Sequence, residues 1–100
     1  MTTNELQNFL TLSYGELEEL NLAGAKITDL GLAKLKGLVD LRELDLSRTQ
    51  VTGKGLENLT RLPKLARLNL SNASRIGEDA LPVLHTLKAS VDLTDTKLAK

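Results

Sequence analysis

His85 is the one imidazole in the chain, and it stands alone. Acid–base or nucleophilic work needs a histidine within reach of a nucleophile or an orienting carboxylate, and no such set is spelled out near it. It lies between Leu84 and Leu87 on the polar side of a short apolar stripe, which is the place of a solvated surface residue. Gly53-Lys54-Gly55 sets a lysine between glycines, but the G-x-x-x-x-G-K-[ST] spacing of a phosphate loop is absent. Without cysteine there is no thiolate metal site, disulfide framework or cysteine nucleophile. No catalytic residue, metal ligand or cofactor is assigned, and the expectation is a protein that is not an enzyme.

Two sets of polar residues recur along the chain. Asn21, Asp45, Asn69 and Asp92 form one, and Glu19, Glu43, Arg67 and Ser90 form the other. If each set runs across neighbouring strands, a strand separation of about 4.8 Å puts Asp45 and Asp92 about 10 Å apart. A single cation needs its oxygens at about 2.0–2.6 Å, so the first set is a polar recognition strip or an ordinary solvated column, not a metal site. In the second set Glu43 and Arg67 are expected to pair across strands, with Arg42 and Arg48 beside them. The candidate surface for a protein partner is therefore Glu19, Asn21, Arg42, Glu43, Asp45, Arg48, Arg67, Asn69, Ser90 and Asp92. It carries no Trp or Tyr, which leaves Arg42, Arg48 and Arg67 as the best anchors.

The elements that must position these residues are written in leucine. Leu17, Leu20 and Leu22 return as Leu41, Leu44 and Leu46, and again as Leu65, Leu68 and Leu70, each time 24 residues on. A chain that repeats in this way is a stack of small units, each burying its apolar face against the next. The spacing of two at Leu20 and Leu22 is strand spacing, with Glu19, Asn21 and Ala23 facing out. Ile27, Val51 and Ile76 mark the next inward position. After them the spacing changes to three, at Leu32, Leu35 and Leu38, then Leu56, Leu59 and Leu62, then Leu81, Leu84 and Leu87. Each of these stripes fits a short helix or a 3₁₀-rich segment. Thr28 and Thr52 are placed for their hydroxyls to cap the first two helical segments, and Asp79 for the third, with Pro82 in its first turn. Gly37 and Pro63 are stops. Leu70 to Ile76 is one residue longer than its counterparts, which predicts a small bulge within Ser71–Arg75.

The expected organisation is one domain, with an N-terminal capping half unit over 1–16, full units over 17–40, 41–64 and 65–87, and a truncated fourth over 88–100. Leu6, Phe9 and Leu12 carry the helical spacing of the half unit, and Phe9 and Tyr14 give it the large apolar bodies of a cap. In the fourth unit Val91 and Leu93 take the inward strand positions and Leu98 that of Ile27. Nothing follows to cover them, so Val91, Leu93 and Leu98 are candidates for end-to-end association of two copies.

The pattern L-x-x-L-x-L, in register three times and once more as Val91-x-Leu93, resembles that of leucine-rich repeat proteins from about Leu17 to Leu98. Ile27-Thr28-Asp29-Leu30-Gly31-Leu32 and Val51-Thr52-Gly53-Lys54-Gly55-Leu56 are similar to the short bacterial type of repeat, and the longer third unit to its cysteine-containing subtype, with Ala73 in place of the cysteine. The resemblance implies an α/β fold: a right-handed, curved solenoid with a parallel sheet on its concave side and short helices on its convex side. It also implies a small hydrogen-bonding residue at the buried corner after each strand, which Thr49 and Thr96 match and Ala25 does not. It implies binding of protein on the concave face, and no reaction.

Composition agrees with that class. Aromatic residues are 2% of the chain, so the core has to be aliphatic. The formal net charge is zero, which gives no general push toward nucleic acid. No basic-plus-apolar leader and no run of about 18 apolar residues is present, so neither a signal nor a spanning segment is expected. The expectation is a protein partner, without nucleic acid or membrane, and a cytoplasmic location or export by a signal-less route. Two alternatives are a specificity subunit of an enzyme complex, such as a ubiquitin-ligase-type assembly, and a self-associating structural unit.

Overall fold

The computed structural model describes residues 17–96 and Leu98, apart from the side chain of Lys36. The expected cap residues Leu6, Phe9, Leu12 and Tyr14 lie outside the described residues. Four strands form one sheet in chain order: β1 (Glu19–Asn21), β2 (Glu43–Asp45), β3 (Arg67–Asn69) and β4 (Ser90–Asp92). All neighbours are parallel, and the register sets Leu20, Leu44, Leu68 and Val91 side by side. Each strand shows only three paired residues, but the ladder runs on past it. Leu22 N–H donates to the Asp45 carbonyl at 2.8 Å, Leu46 to Asn69 at 2.8 Å and Leu70 to Asp92 at 2.9 Å.

Parallel neighbours need a crossover, and each unit makes it with nine helical residues. In the first unit an α-turn over Asp29–Leu32 tightens into a 3₁₀ run over Ala33–Gly37. The second repeats this with Gly53–Leu56 and Glu57–Arg61. The third reverses the order, with 3₁₀ over Glu78–Ala80 and α over Leu81–Thr86. Segments this short have no stability of their own in water, so the leucine stripe must hold them. Gly37 closes the first and Pro63 follows the second, as the sequence suggests, and Pro82 sits in the first turn of the third α-segment.

The core is one aliphatic column between sheet and helices. Leu22, Ile27, Leu32, Leu35, Leu38, Leu41, Leu46, Leu56, Leu59, Leu68 and Leu70 are fully buried within it. Each such side chain contributes about 1.5–3 kcal/mol by leaving water. Burial fades toward the fourth unit: Leu32 and Leu56 are 0% exposed, while Leu81 in the same position is 41% exposed. Leu84, Leu87, Val91, Leu93 and Leu98 are only partly buried.

The corners after the strands are built alike. Gly24, Arg48, Asn72 and Asp95 hold φ values of 70°, 55°, 59° and 59°. The left-handed region reverses the chain there, and only the first corner uses the residue that enters it without a Cβ clash. Thr49 and Thr96 donate their hydroxyls to the carbonyls of Leu46 and Leu93 at 2.7 Å, whereas Ala25 and Ala73 fill the same buried corner with a methyl group. The extra residue of the third unit is absorbed by a second turn, closed by Ile76 N–H on the Ala73 carbonyl at 3.1 Å.

The helix caps differ from expectation. Thr28 and Thr52 have extended backbone just before their helical segments, but neither side chain caps. Thr52 instead donates its hydroxyl to Asp29 Oδ2 at 2.6 Å and its N–H to Asp29 Oδ1 at 2.8 Å. The Thr52 hydroxyl that local spacing would use as a cap acceptor serves instead as a donor to the carboxylate of the preceding unit, since an ionised acceptor makes the stronger bond. Asp79 falls inside the third helical segment, whose cap position belongs to Gly77, and caps nothing.

Candidate functional site

The outward residues of the four strands line an open trough of about 880 Å³, from Glu19 and Asn21 on β1 to Ser90 and Asp92 on β4, with Leu93 at its far end. They stand there because strand side chains alternate: Leu20, Leu44 and Leu68 turn into the core, so their neighbours must face out. The register aligns Glu19, Glu43, Arg67 and Ser90 in one row and Asn21, Asp45, Asn69 and Asp92 in the next. Both rows are the sets recognised in the sequence.

A smaller hollow of about 450 Å³ adjoins the trough, lined by Glu18, Glu19, Arg42, Glu43, Ala66 and Arg67. Two ion pairs define it, each linking adjacent units. Arg67 Nη1 lies 2.8 Å from Glu43 Oε1, the pair anticipated from the register. Arg42 Nε lies 3.4 Å from Glu18 Oε1, a partner the sequence did not suggest. Arg42, Glu18 and Arg67 are largely solvated and Glu43 is 35% exposed, so each pair contributes at most about 1 kcal/mol. Arg48 is not among the residues lining either hollow. It occupies the corner after β2, with its N–H on the Ser71 carbonyl at 3.0 Å, and stands at the rim of the surface.

The Asn and Asp row is less free than a recognition strip would be. Each member turns Oδ1 back onto the amide two residues ahead: Asn21 to Ala23, Asp45 to Ser47, Asn69 to Ser71 and Asp92 to Thr94, all at 2.9 Å. Asp45 Oδ1 also accepts the Ser47 hydroxyl at 2.7 Å. These side chains therefore build the corners first, and present only their second polar atom to the trough. The signal was in the sequence, since Asn and Asp ahead of a turn favour this local bond. The Thr94 hydroxyl, with the Thr94 amide second, lowers the pKa of the Asp92 carboxyl from its ordinary value.

His85 is exposed on the Leu81–Thr86 helix. Among the described residues no three His, Asp or Glu side chains gather as they would to hold a metal ion, and no helix is long and apolar enough to cross a membrane. No buried side-chain nitrogen or oxygen among them lacks a hydrogen-bond partner.

The repeat, the parallel sheet and the helical crossovers together define the class. The chain belongs to the leucine-rich repeat family, whose model, described as leucine rich repeat, matches residues 15–76. Domains of this family generally mediate protein–protein interaction and are typically non-catalytic. No curated protein matches the chain.

Proposed function

We propose that this chain is a non-catalytic interaction module that docks a protein partner on the outward, concave face of its sheet. The observation that carries the reading is the trough itself, in which four registered strands set two rows of polar side chains over one continuous floor. Sheets packed in this way spend their inner face on the core and leave the outer face to a partner. The proposed surface keeps Glu19, Asn21, Glu43, Asp45, Arg67, Asn69, Ser90 and Asp92, with Arg42 at its edge and Arg48 on its rim. The coil is taken as right-handed, because strand–crossover–strand connections between parallel neighbours overwhelmingly have that hand.

Site-specific photo-crosslinking tests this. A photoreactive residue replacing Glu43 should give a discrete protein adduct in cells that express the chain. The same residue replacing Lys54, on the helical side, should not. Equal labelling from both positions, or labelling from Lys54 alone, contradicts the reading.

A second reading, pairing of two copies through Val91, Leu93 and Leu98, draws on the exposure of the last unit described above. Lys88 works against it. It stands where Leu17, Leu41 and Leu65 stand in the other units, and two-fold pairing would bring its ammonium into an apolar contact. Sedimentation at high concentration separates the two: a monomer removes the pairing, and a dimer dissolved by Leu93→Asp sustains it.

A further inference from the structure

We infer that the partner docked on this face presents basic side chains on an extended segment laid across the strands. The inference rests on the docking reading above and adds the chemistry of the occupant. Although the whole chain has no formal net charge, the trough and its adjoining hollow are lined by five carboxylates and two guanidiniums. Both guanidiniums already face a carboxylate, Arg42 that of Glu18 and Arg67 that of Glu43. Glu19, Asp45 and Asp92 make no ion pair with another described residue. Of the three arginines that the sequence offers as anchors, Arg42 and Arg67 are thus paired within the chain and Arg48 stands outside both hollows, so the uncommitted charge lining the trough itself is negative.

The geometry sharpens this. Asp45 and Asp92 belong to one row, two strands apart, hence about 10 Å from each other. An extended segment in the polyproline II conformation rises about 3.1 Å per residue with three residues per turn, so basic residues spaced by three lie on one face about 9 Å apart and reach both carboxylates. The bond from Oδ1 of each to its own corner amide fixes the side chain and leaves Oδ2 for a cation. A ligand that meets already ordered carboxylates loses less freedom on binding. The helical side mixes exposed Lys34, Lys54 and Arg61 with exposed Glu57, Glu78 and Asp79, and so offers a basic partner no comparable run of carboxylates without cations among them.

The test uses the whole chain and two fluorescent Ser/Gly peptides, one with Lys at every third residue and one with Glu there, titrated by anisotropy at low and physiological salt. The Lys peptide should bind more tightly. Asp45→Asn/Asp92→Asn, which keeps each corner bond, should weaken it about tenfold, since unpairing two charge contacts at an interface has effects of that order. Arg67→Gln should tighten it by uncovering Glu43. Glu57→Gln/Glu78→Gln removes two exposed carboxylates elsewhere and should change nothing. No binding of the Lys peptide, or binding indifferent to Asp45 and Asp92, overturns the inference. Preference for the Glu peptide, lost with Arg42→Gln/Arg67→Gln, overturns it but leaves the docking surface standing. Binding that responds only to changes at Lys34, Lys54 and Arg61 overturns the docking surface as well. A salt-sensitive dimer by sedimentation, abolished by the same Asp45 and Asp92 changes, replaces the separate partner with a second copy.

Discussion

Two junctions join the three full units, and they are fastened by different means. Between the first and second, Asp29 reaches over to hold the hydroxyl and amide of Thr52. The space for it exists because position 55 is glycine: a Cβ there would strike the Asp29 carboxylate. Between the second and third the roles shift by one unit. Gly53 takes the position of Asp29 and Ala80 that of Gly55, so the counterpart of the Asp29–Thr52 bond is absent, and the side-chain bonds across this junction are those of Arg75 Nε to Gln50 Oε1 at 2.8 Å and of Arg67 to Glu43, both away from the glycine. A Cβ on Gly53 would lie 2.6 Å from Ala80 Cα and 2.7 Å from its nitrogen, so backbone meets backbone. The same stacking distance is thus met once by a carboxylate against a glycine and once by a glycine against an alanine. A repeat can change one side of a junction only if the other side changes with it.

The largest effect should come from the shared core rather than from either junction. Leu56 is fully buried between both, and Leu56→Ala should cost about 2–5 kcal/mol in urea unfolding. Leu81→Ala, at the equivalent but 41% exposed position, should cost well under half as much. Equal losses would mean that the last unit is covered in solution.

The junctions come next. Gly53→Ala drives a methyl group into backbone and should cost about 1–3 kcal/mol, whatever stands at position 29. Gly55→Ala should cost a similar amount in the native chain but little or nothing beside Asp29→Ala, because its clash is with that carboxylate. A double-mutant cycle should return a coupling above about 0.5 kcal/mol for residues 29 and 55. Additive losses would contradict the account of the first junction. Between the two threonines the contrast is simpler. Thr52→Val removes the hydroxyl bound to Asp29 and should cost about 1–2 kcal/mol. Thr28→Val loses no such partner among the described residues and should stay within about 0.5 kcal/mol of the parent.

The smallest effect has the opposite sign. Arg48 holds φ at 55° where the first corner has Gly24. Arg48→Gly should stabilise the fold by about 0.5–1 kcal/mol, by relieving the left-handed backbone. A loss on the same denaturation curve would show that the Arg48 side chain holds the corner.

What could be read from the chain before its structure follows from the period. A 24-residue step with leucines at fixed places decides which side chains face inward, and so the strand order, the register and both outward rows. The Glu43–Arg67 pair follows from the register alone. The extra residue before Ile76 was legible as an insertion, though not as the second turn it forms. The cap at Thr52 was misread because local spacing favours the nearest hydroxyl, while its real partner, Asp29, is 23 residues away. Setting the columns of Asp29 and Gly53 beside those of Gly31, Gly55 and Ala80 holds that information, but only once the units are known to lie in contact. The Asn and Asp row was placed correctly and assigned too freely, since its corner bonds are local and take one oxygen from each side chain.

All of this depends on parallel strands in this register, and that can be measured directly. Scalar couplings through hydrogen bonds, recorded by NMR on the isotope-labelled chain, report which amide is bonded to which carbonyl. The structure requires Leu22 N–H to couple to the Asp45 carbonyl, Leu46 to Asn69 and Leu70 to Asp92. Those three couplings together establish the stack. Amides of Leu22, Leu46 and Leu70 protected from exchange but coupled to other carbonyls would break the register, and the trough would go with it.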